Sequence, residues 1–184
     1  MQTHPSTDLS EISTDQFKQV MRRFAASVNV ITSSNGAFKN GMTATAVCSV
    51  SAEPPTALII VNKSNRSHPI IAETKAFAVN VLSAEQREVA THFASRHPDP
   101  FAQVAHTIGK TGCPIIEGSD AHIECTVMDQ LDVGTHTIFV GRIVATGSSN
   151  GEPLLYHEGR YVGLGTEPPA EVERLAQMMT RVPA

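Results

Sequence analysis

Long apolar runs are missing from the sequence. The longest, such as residues 57–61, reach about a quarter of the ~20 residues that a bilayer-spanning helix needs. Cysteine is scarce as well: Cys48, Cys113 and Cys125 are the only three, and no two stand in a CxxC arrangement. A four-cysteine iron–sulphur cluster is thereby excluded, and reduced thiols in a cytoplasmic protein are the expectation. Charge is sparse at 17% Asp, Glu, Lys and Arg with a net of −4, so neither a nucleic acid nor an anionic membrane is expected as partner. The first residues, MQTHPSTDLSEIS, carry no basic stretch followed by an apolar one, and no secretory signal is read there.

Several chemistry-bearing motifs are also incomplete. Gly109-Lys110-Thr111 resembles the end of a P-loop, but the glycine required five positions earlier is Val104. Gly163-Leu164-Gly165 lacks the third glycine of a dinucleotide fingerprint and follows the last expected strand. Eight histidines are scattered without metal-ligand spacing, so no metal is expected. No nucleophile-elbow motif supports a hydrolase.

What is present reads as a mainly β chain. Ser13-Thr14-Asp15-Gln16 forms a capping-box pattern ahead of Phe17, Val20, Met21 and Phe24 at helical spacing. The period then changes to two. A strand through residues 28–33 is followed by turn residues Ser34-Asn35-Gly36 and a returning hairpin strand over 38–50. Residues 56–62 read as a strand buried on both faces. A short helix is expected at 67–74, a strand at 77–82, and a second capping box at Ser83-Ala84-Glu85-Gln86 opening another helix. Residues 95–118 show little periodicity and read as a loop. Long strands at about 120–130 and 135–147, short ones at 153–157 and 160–164, and a docking helix carrying Val172, Leu175 and Met179 complete the reading. The strands are too many and the helices too few for a βαβ repeat, so the expectation is a barrel or sandwich with marginal helices. The domain boundaries follow: an N-terminal extension at 1–13, one domain at 14–166 and a tail at 167–184.

Two segments raise a functional question. The stretch GMTATAVCSV at 41–50 is made almost wholly of small side chains. It suits either tight packing against a helix or a flat ligand lying on bare main chain, such as a flavin ring. Asn62-Lys63-Ser64-Asn65-Arg66-Ser67 joins a strand to a helix start; it suits either a helix cap or an anion site built from amides, hydroxyls and two cations.

The blocks RFAASVNVITSSNG, GMTATAVCSVSAEPPTALIIVNKS, FAVNVLSAEQ, HFASR, GTHTIFVGRIV and PLLYHEGRYVGL occur in that order over residues 15 to 164. In this the chain resembles the short-chain flavin reductases, the reductase components of two-component flavin monooxygenases. The resemblance implies the FMN-binding split-barrel fold, Greek-key-like and homodimeric, with the flavin between barrel and partner. It implies that Thr43, Thr45, Ala46 and Val47 face the flavin ring, with Ser49 close by. Asn62, Lys63, Ser64 and Ser67 would reach the ribityl phosphate, while Asn80, Phe93 and Ala94 shape the surroundings. His136 matches a family histidine near the nicotinamide, with Tyr156 and Tyr161 beside it. The implied cofactor is FMN or FAD, the co-substrate NADH or NADPH, and the partner a separate oxygenase. A reductase of another acceptor, such as a corrinoid or ferric chelate, and a flavin carrier without turnover stay open at this point.

Overall fold

The protein is described by a computed structural model over residues 12–165. In chain order the elements are α1 (Thr14–Met21), β1 (Ala26–Ser27), β2 (Asn29–Ser34), β3 (Lys39–Ala44), β4 (Val47–Ala52), β5 (Pro55–Asn62) and α2 (Ser67–Thr74). There follow β6 (Ala76–Val81), α3 (Arg87–Ala94), β7 (His106–Ile108), β8 (Pro114–Ile116), β9 (Ala121–Val133), β10 (His136–Ser148), β11 (Leu155–His157) and β12 (Arg160–Val162). The expected tail helix and most of the N-terminal extension lie outside the described residues.

Seven strands form one sheet in the order β3-β2-β6-β9-β10-β5-β4, and its neighbouring strands are antiparallel. The two edge strands, β3 and β4, are consecutive in the chain and separated only by Thr45 and Ala46. In a flat sheet six inter-strand steps would part the edges by roughly 29 Å. The three-residue step from Ala44 to Val47 can span at most about 11 Å. The sheet is therefore curled until its edges meet at Thr45 and Ala46, with no ladder pairing β3 to β4 among the described residues. This corrects the single hairpin strand expected over 38–50. The small residues run unbroken through the point where the chain crosses from one edge to the other, so nothing local marks the break.

Alternation decides what fills the curl. Ile31, Ile59, Val61, Phe77, Val79, Cys125 and Phe139 point inward and form one buried cluster with Ile71 of α2. The opposite faces of β2 and β6 are buried too. Val28 and Val30 pack with Phe93 of α3, Phe101, Ile116 and Leu154, while Ala76 and Ala78 meet Cys113 and Ile115. Gly141 on β10 stands where the register shifts, and a Cβ there would lie 2.6 Å from Cζ of Phe77. The missing side chain makes room for that ring. Burial also raises the thiol pKa of Cys125, to about 12, so that cysteine behaves as a small core hydrophobe.

Other expectations are met or corrected individually. The Ser13 and Gln16 capping box forms in both directions, at 3.2 and 2.9 Å. The box at Ser83 forms by half. Gln86 Oε1 accepts from the Ser83 N–H at 3.1 Å, but the Gln86 N–H donates to the Ser83 carbonyl, closing a turn, and the helix starts only at Arg87. The loop read over 95–118 contains the β7–β8 hairpin, whose three-residue strands are too short to show a period. In β5 the face of Ala57, Ile59 and Val61 is buried, while on the other Thr56 is buried and Leu58 and Ile60 are half-buried, so the expected burial on both faces is met in part.

Candidate functional site

The segment following β5 is organised by two asparagine turns. Asn62 Oδ1 accepts from the backbone N–H of Ser64 at 2.9 Å and from its hydroxyl at 2.8 Å. Asn65 Oδ1 accepts from the N–H of Ser67 at 2.9 Å, at the mouth of α2. Such turns fold the chain tightly without glycine. Arg66 is left pointing along the surface, where its Nη1 donates to the His97 carbonyl at 2.8 Å.

These residues face the C-terminal end of α3 across a solvent-open cleft of ≈ 260 Å³. Asn62, Ser64 and Arg66 form one wall, Phe93 and Arg96 another, and the main chain at Gly41 closes the side. Phe93 can lie against β3 only because residue 41 is glycine: a Cβ there would fall 2.5 Å from its ring. An adjoining cleft of ≈ 280 Å³ is lined by Val28, Thr43, Ala44, Thr45, Tyr156 and Tyr161. Ala94 belongs to both. The hydroxyl of Thr43 donates to the Ala90 carbonyl at 2.6 Å, which locks β3 to α3 beneath the joint of the two clefts. The two tyrosine rings meet edge-on with centroids 5.7 Å apart.

Thr43, Thr45, Tyr156, Tyr161, Asn62, Ser64 and Phe93 are thus brought together from five parts of the chain. Other expected residues are placed differently. Asn80 is fully buried: its Nδ2 donates to the Val30 carbonyl at 3.1 Å, and its Oδ1 accepts from the Ile116 N–H at 2.8 Å. It joins β2, β6 and β8 rather than facing either cleft. Ser67 is also fully buried, and its Oγ accepts from Asn40 Nδ2 at 2.8 Å. Ala46 offers its carbonyl to the Ile60 N–H at 3.2 Å. Val47 leans against the inner core, and Ser49 is exposed on β4. None of these last three lines the two clefts.

Lys63 is engaged elsewhere. Its Nζ lies 3.2 Å from Asp132, and its backbone N–H donates to the Thr135 carbonyl at 3.0 Å. Thr137 donates to Asp132 at 2.6 Å, which leaves its oxygen free to accept from His68 Nε2 at 2.8 Å. The Thr137 hydroxyl, and after it Lys63, hold the Asp132 carboxyl below its usual range. This chain fixes the turn at Gly134 and Thr135 against the loop after Asn62. His136, the first residue of β10, stands in register opposite Asn62, with Nδ1 2.9 Å from the Thr135 hydroxyl. It therefore sits beside the polar cleft.

Asn40, Arg96 and His97 line the polar cleft without having been singled out from the sequence. Arg96 closes the HFASR block, which was the available signal; nothing local marks Asn40. The arrangement offers guanidinium donors at one end and small side chains with aromatic edges at the other. That donor set fits an anion attached to a flat, largely apolar ring system, as in a flavin nucleotide.

Among the described residues no group of three His, Cys, Asp or Glu could hold a metal ion. No helix among them is long and apolar enough to cross a membrane. Comparison with known proteins agrees with the geometry. The FMN reductase (NADH) RutF of Stutzerimonas stutzeri is 35% identical over 155 residues, 83% of this chain and 89% of that protein. HsaB of Rhodococcus jostii, a reductase subunit of a flavin-dependent monooxygenase, is 35% identical over 81% of this chain and 77% of its own. Among solved structures, an NADH:FAD oxidoreductase of Streptomyces globisporus superposes with a TM-score of 0.81 at 34% identity, covering 88% of this chain and 100% of that one. The flavin reductase like domain is matched over residues 21–165, nearly all of the described chain, and the protein belongs to that family.

Proposed function

We propose that the protein is an NAD(P)H:flavin oxidoreductase that supplies reduced FMN or FAD to a separate monooxygenase component. The observation that carries this reading is the joining of an arginine-lined cleft to an apolar, tyrosine-edged one at Ala94. A bound flavin would supply the hydride acceptor for the nicotinamide. No side-chain nucleophile is then needed, and the chain's own work is positioning. Arg66 and Arg96 hold the phosphate, and the Thr43 bond to α3 keeps the floor rigid. His136, fixed by the Lys63 and Asp132 clip, orients the nicotinamide from the adjoining strand.

The separate oxygenase is supported by the relatives that are named as reductase subunits. A homodimer is supported by apolar surface the single chain does not cover. Val50 on β4 and Met128, Leu131 and Val133 on β9 are exposed, and the α1 side chains Phe17, Val20 and Met21 are exposed as well. Patches of this kind mark interaction surfaces. A cytoplasmic location is supported by three free cysteines, two of them buried.

The deciding experiment is an absorbance spectrum of the protein with added flavin, followed by anaerobic addition of NADH. A band at roughly 450 nm should shift on binding and then bleach. An unshifted flavin band that NADH does not bleach would end the reading, and a shifted band that does not bleach would leave only a carrier. His136→Ala should lower kcat/KM for NADH by about tenfold while leaving the flavin Kd unchanged. Equal loss of both would show that His136 holds the fold of the turn instead.

A further inference from the structure

On α2, Ile71 belongs to the inner cluster and His68 stands three residues before it, so the two share the helix face turned to the sheet. The His68 ring is half-buried and lies against Phe139, with centroids 5.5 Å apart and planes at 58°. Along the start of β10 the buried Thr137 and Phe139 alternate with the less buried His136 and Ile138. Phe139 points into the core, so Thr137 does too, and His136 points away from it. Thr137 adjoins His136 in the chain and pairs in register with Asp132 across the β9–β10 turn.

The hydrogen bonds at Thr137 have only one consistent direction. Its hydroxyl has a single proton, and an ionised carboxylate only accepts, so that proton goes to Asp132 over 2.6 Å. The Thr137 oxygen then accepts from His68, 2.8 Å away, and His68 must carry a proton on Nε2. Thr137 is fully buried, so without the His68 donor its oxygen loses a bond that solvent does not replace, and its rotamer is held from one side only. Any shift of Thr137 reaches His136 through one peptide unit. We infer that His68 is a positioning residue for flavin reduction: by anchoring Thr137 from inside the sheet, it fixes the start of β10 and the direction from which His136 meets the nicotinamide. The inference rests on the flavin reading above and adds to it a residue that lines neither cleft.

Steady-state NADH oxidation and FMN titration of the full-length protein and its variants test it. His68→Phe keeps a ring against Phe139 but has no donor, and it should lower kcat/KM for NADH by about fivefold with the FMN Kd unchanged. His68→Gln keeps an N–H at similar reach and should stay within about twofold of the wild type. In a His136→Ala background His68→Phe should cause no further loss, because His68 acts through that residue. Thr137→Val removes the hydroxyl between them and should match His68→Phe, which keeps the test sound if the larger ring perturbs α2. Full activity in both His68→Phe and Thr137→Val overturns the inference while the flavin reading stands. So does a loss that multiplies with that of His136→Ala, a parallel loss of FMN affinity, or a Gln variant as impaired as the Phe variant: His68 would then be a packing residue only. Wild-type protein that binds no flavin and oxidises no NADH overturns both readings.

Discussion

Phe77→Ala is expected to cost about 3–5 kcal/mol, enough to lower the melting temperature by roughly 6–20 °C in a chain of this size. The ring is fully buried on β6, within the inner cluster that includes Ile31, Ile59, Val79 and Phe139. Its far edge faces the bare main chain of Gly141, so no side chain on that part of β10 can move in to fill the space. Residual cavity volume sets the size of such losses, and here the opening cannot collapse from one side. The same geometry predicts a coupling. Gly141→Ala alone brings a Cβ within 2.6 Å of the ring and should cost about 1–3 kcal/mol by overpacking. Introduced on top of Phe77→Ala, it should cost less than it does alone, because the clash with the ring is gone while the Cβ of Cys125, 2.8 Å away, still crowds the methyl group. Urea titrations of the two single variants and the double variant measure this cycle. Additive losses would mean that ring and glycine do not pack against each other.

The close fit between Phe77 and Gly141 shows which parts of the structure could be read locally. Elements whose cause is local agree with their sequence patterns: the Ser13 cap, α2 at Ser67–Thr74, the β6 strand and the long β9 and β10 pair. Elements whose cause lies across the fold do not. The break at Thr45 and Ala46 carries neither glycine nor proline, and it exists because a curled sheet brings its two edges together there. Ser83 has the composition of a helix cap, but its backbone is already bridged to Pro153 and its carbonyl closes a turn on Gln86. In the site, the resemblance brought forward Thr43, Thr45, Asn62 and Ser64, and the fold gathers them at the two clefts. Where long side chains end could not be read in this way. Lys63 and Arg66 look equivalent as cations in the sequence, yet the first is drawn to Asp132 and the second to His97. Asn80 was legible as a polar strand residue and was given to the cofactor, whereas burial between three strands commits it to the scaffold.

That division between the two cations yields the second large effect. Arg66→Ala with Arg96→Ala should weaken FMN binding by about a hundredfold, since charge-assisted bonds to a phosphate contribute roughly 1.5–3 kcal/mol each before solvent screening. Riboflavin has the same ring but no phosphate, so its affinity should stay within about twofold. The ratio of the two affinities is therefore the decisive quantity: it isolates the phosphate from any general loosening of the cleft. Salt should weaken FMN binding to the wild type and have little effect on the double variant, because exposed charges are screened over about 8–10 Å. Lys63→Ala provides the control. Its ammonium is held by Asp132, and its tie to the turn at Thr135 runs through the backbone, so the preference for FMN over riboflavin should survive in that variant. If Lys63→Ala erased the preference and the double arginine variant kept it, the phosphate would have to lie on the β9–β10 side of Asn62. The arginine-lined cleft would then be a surface groove without a ligand.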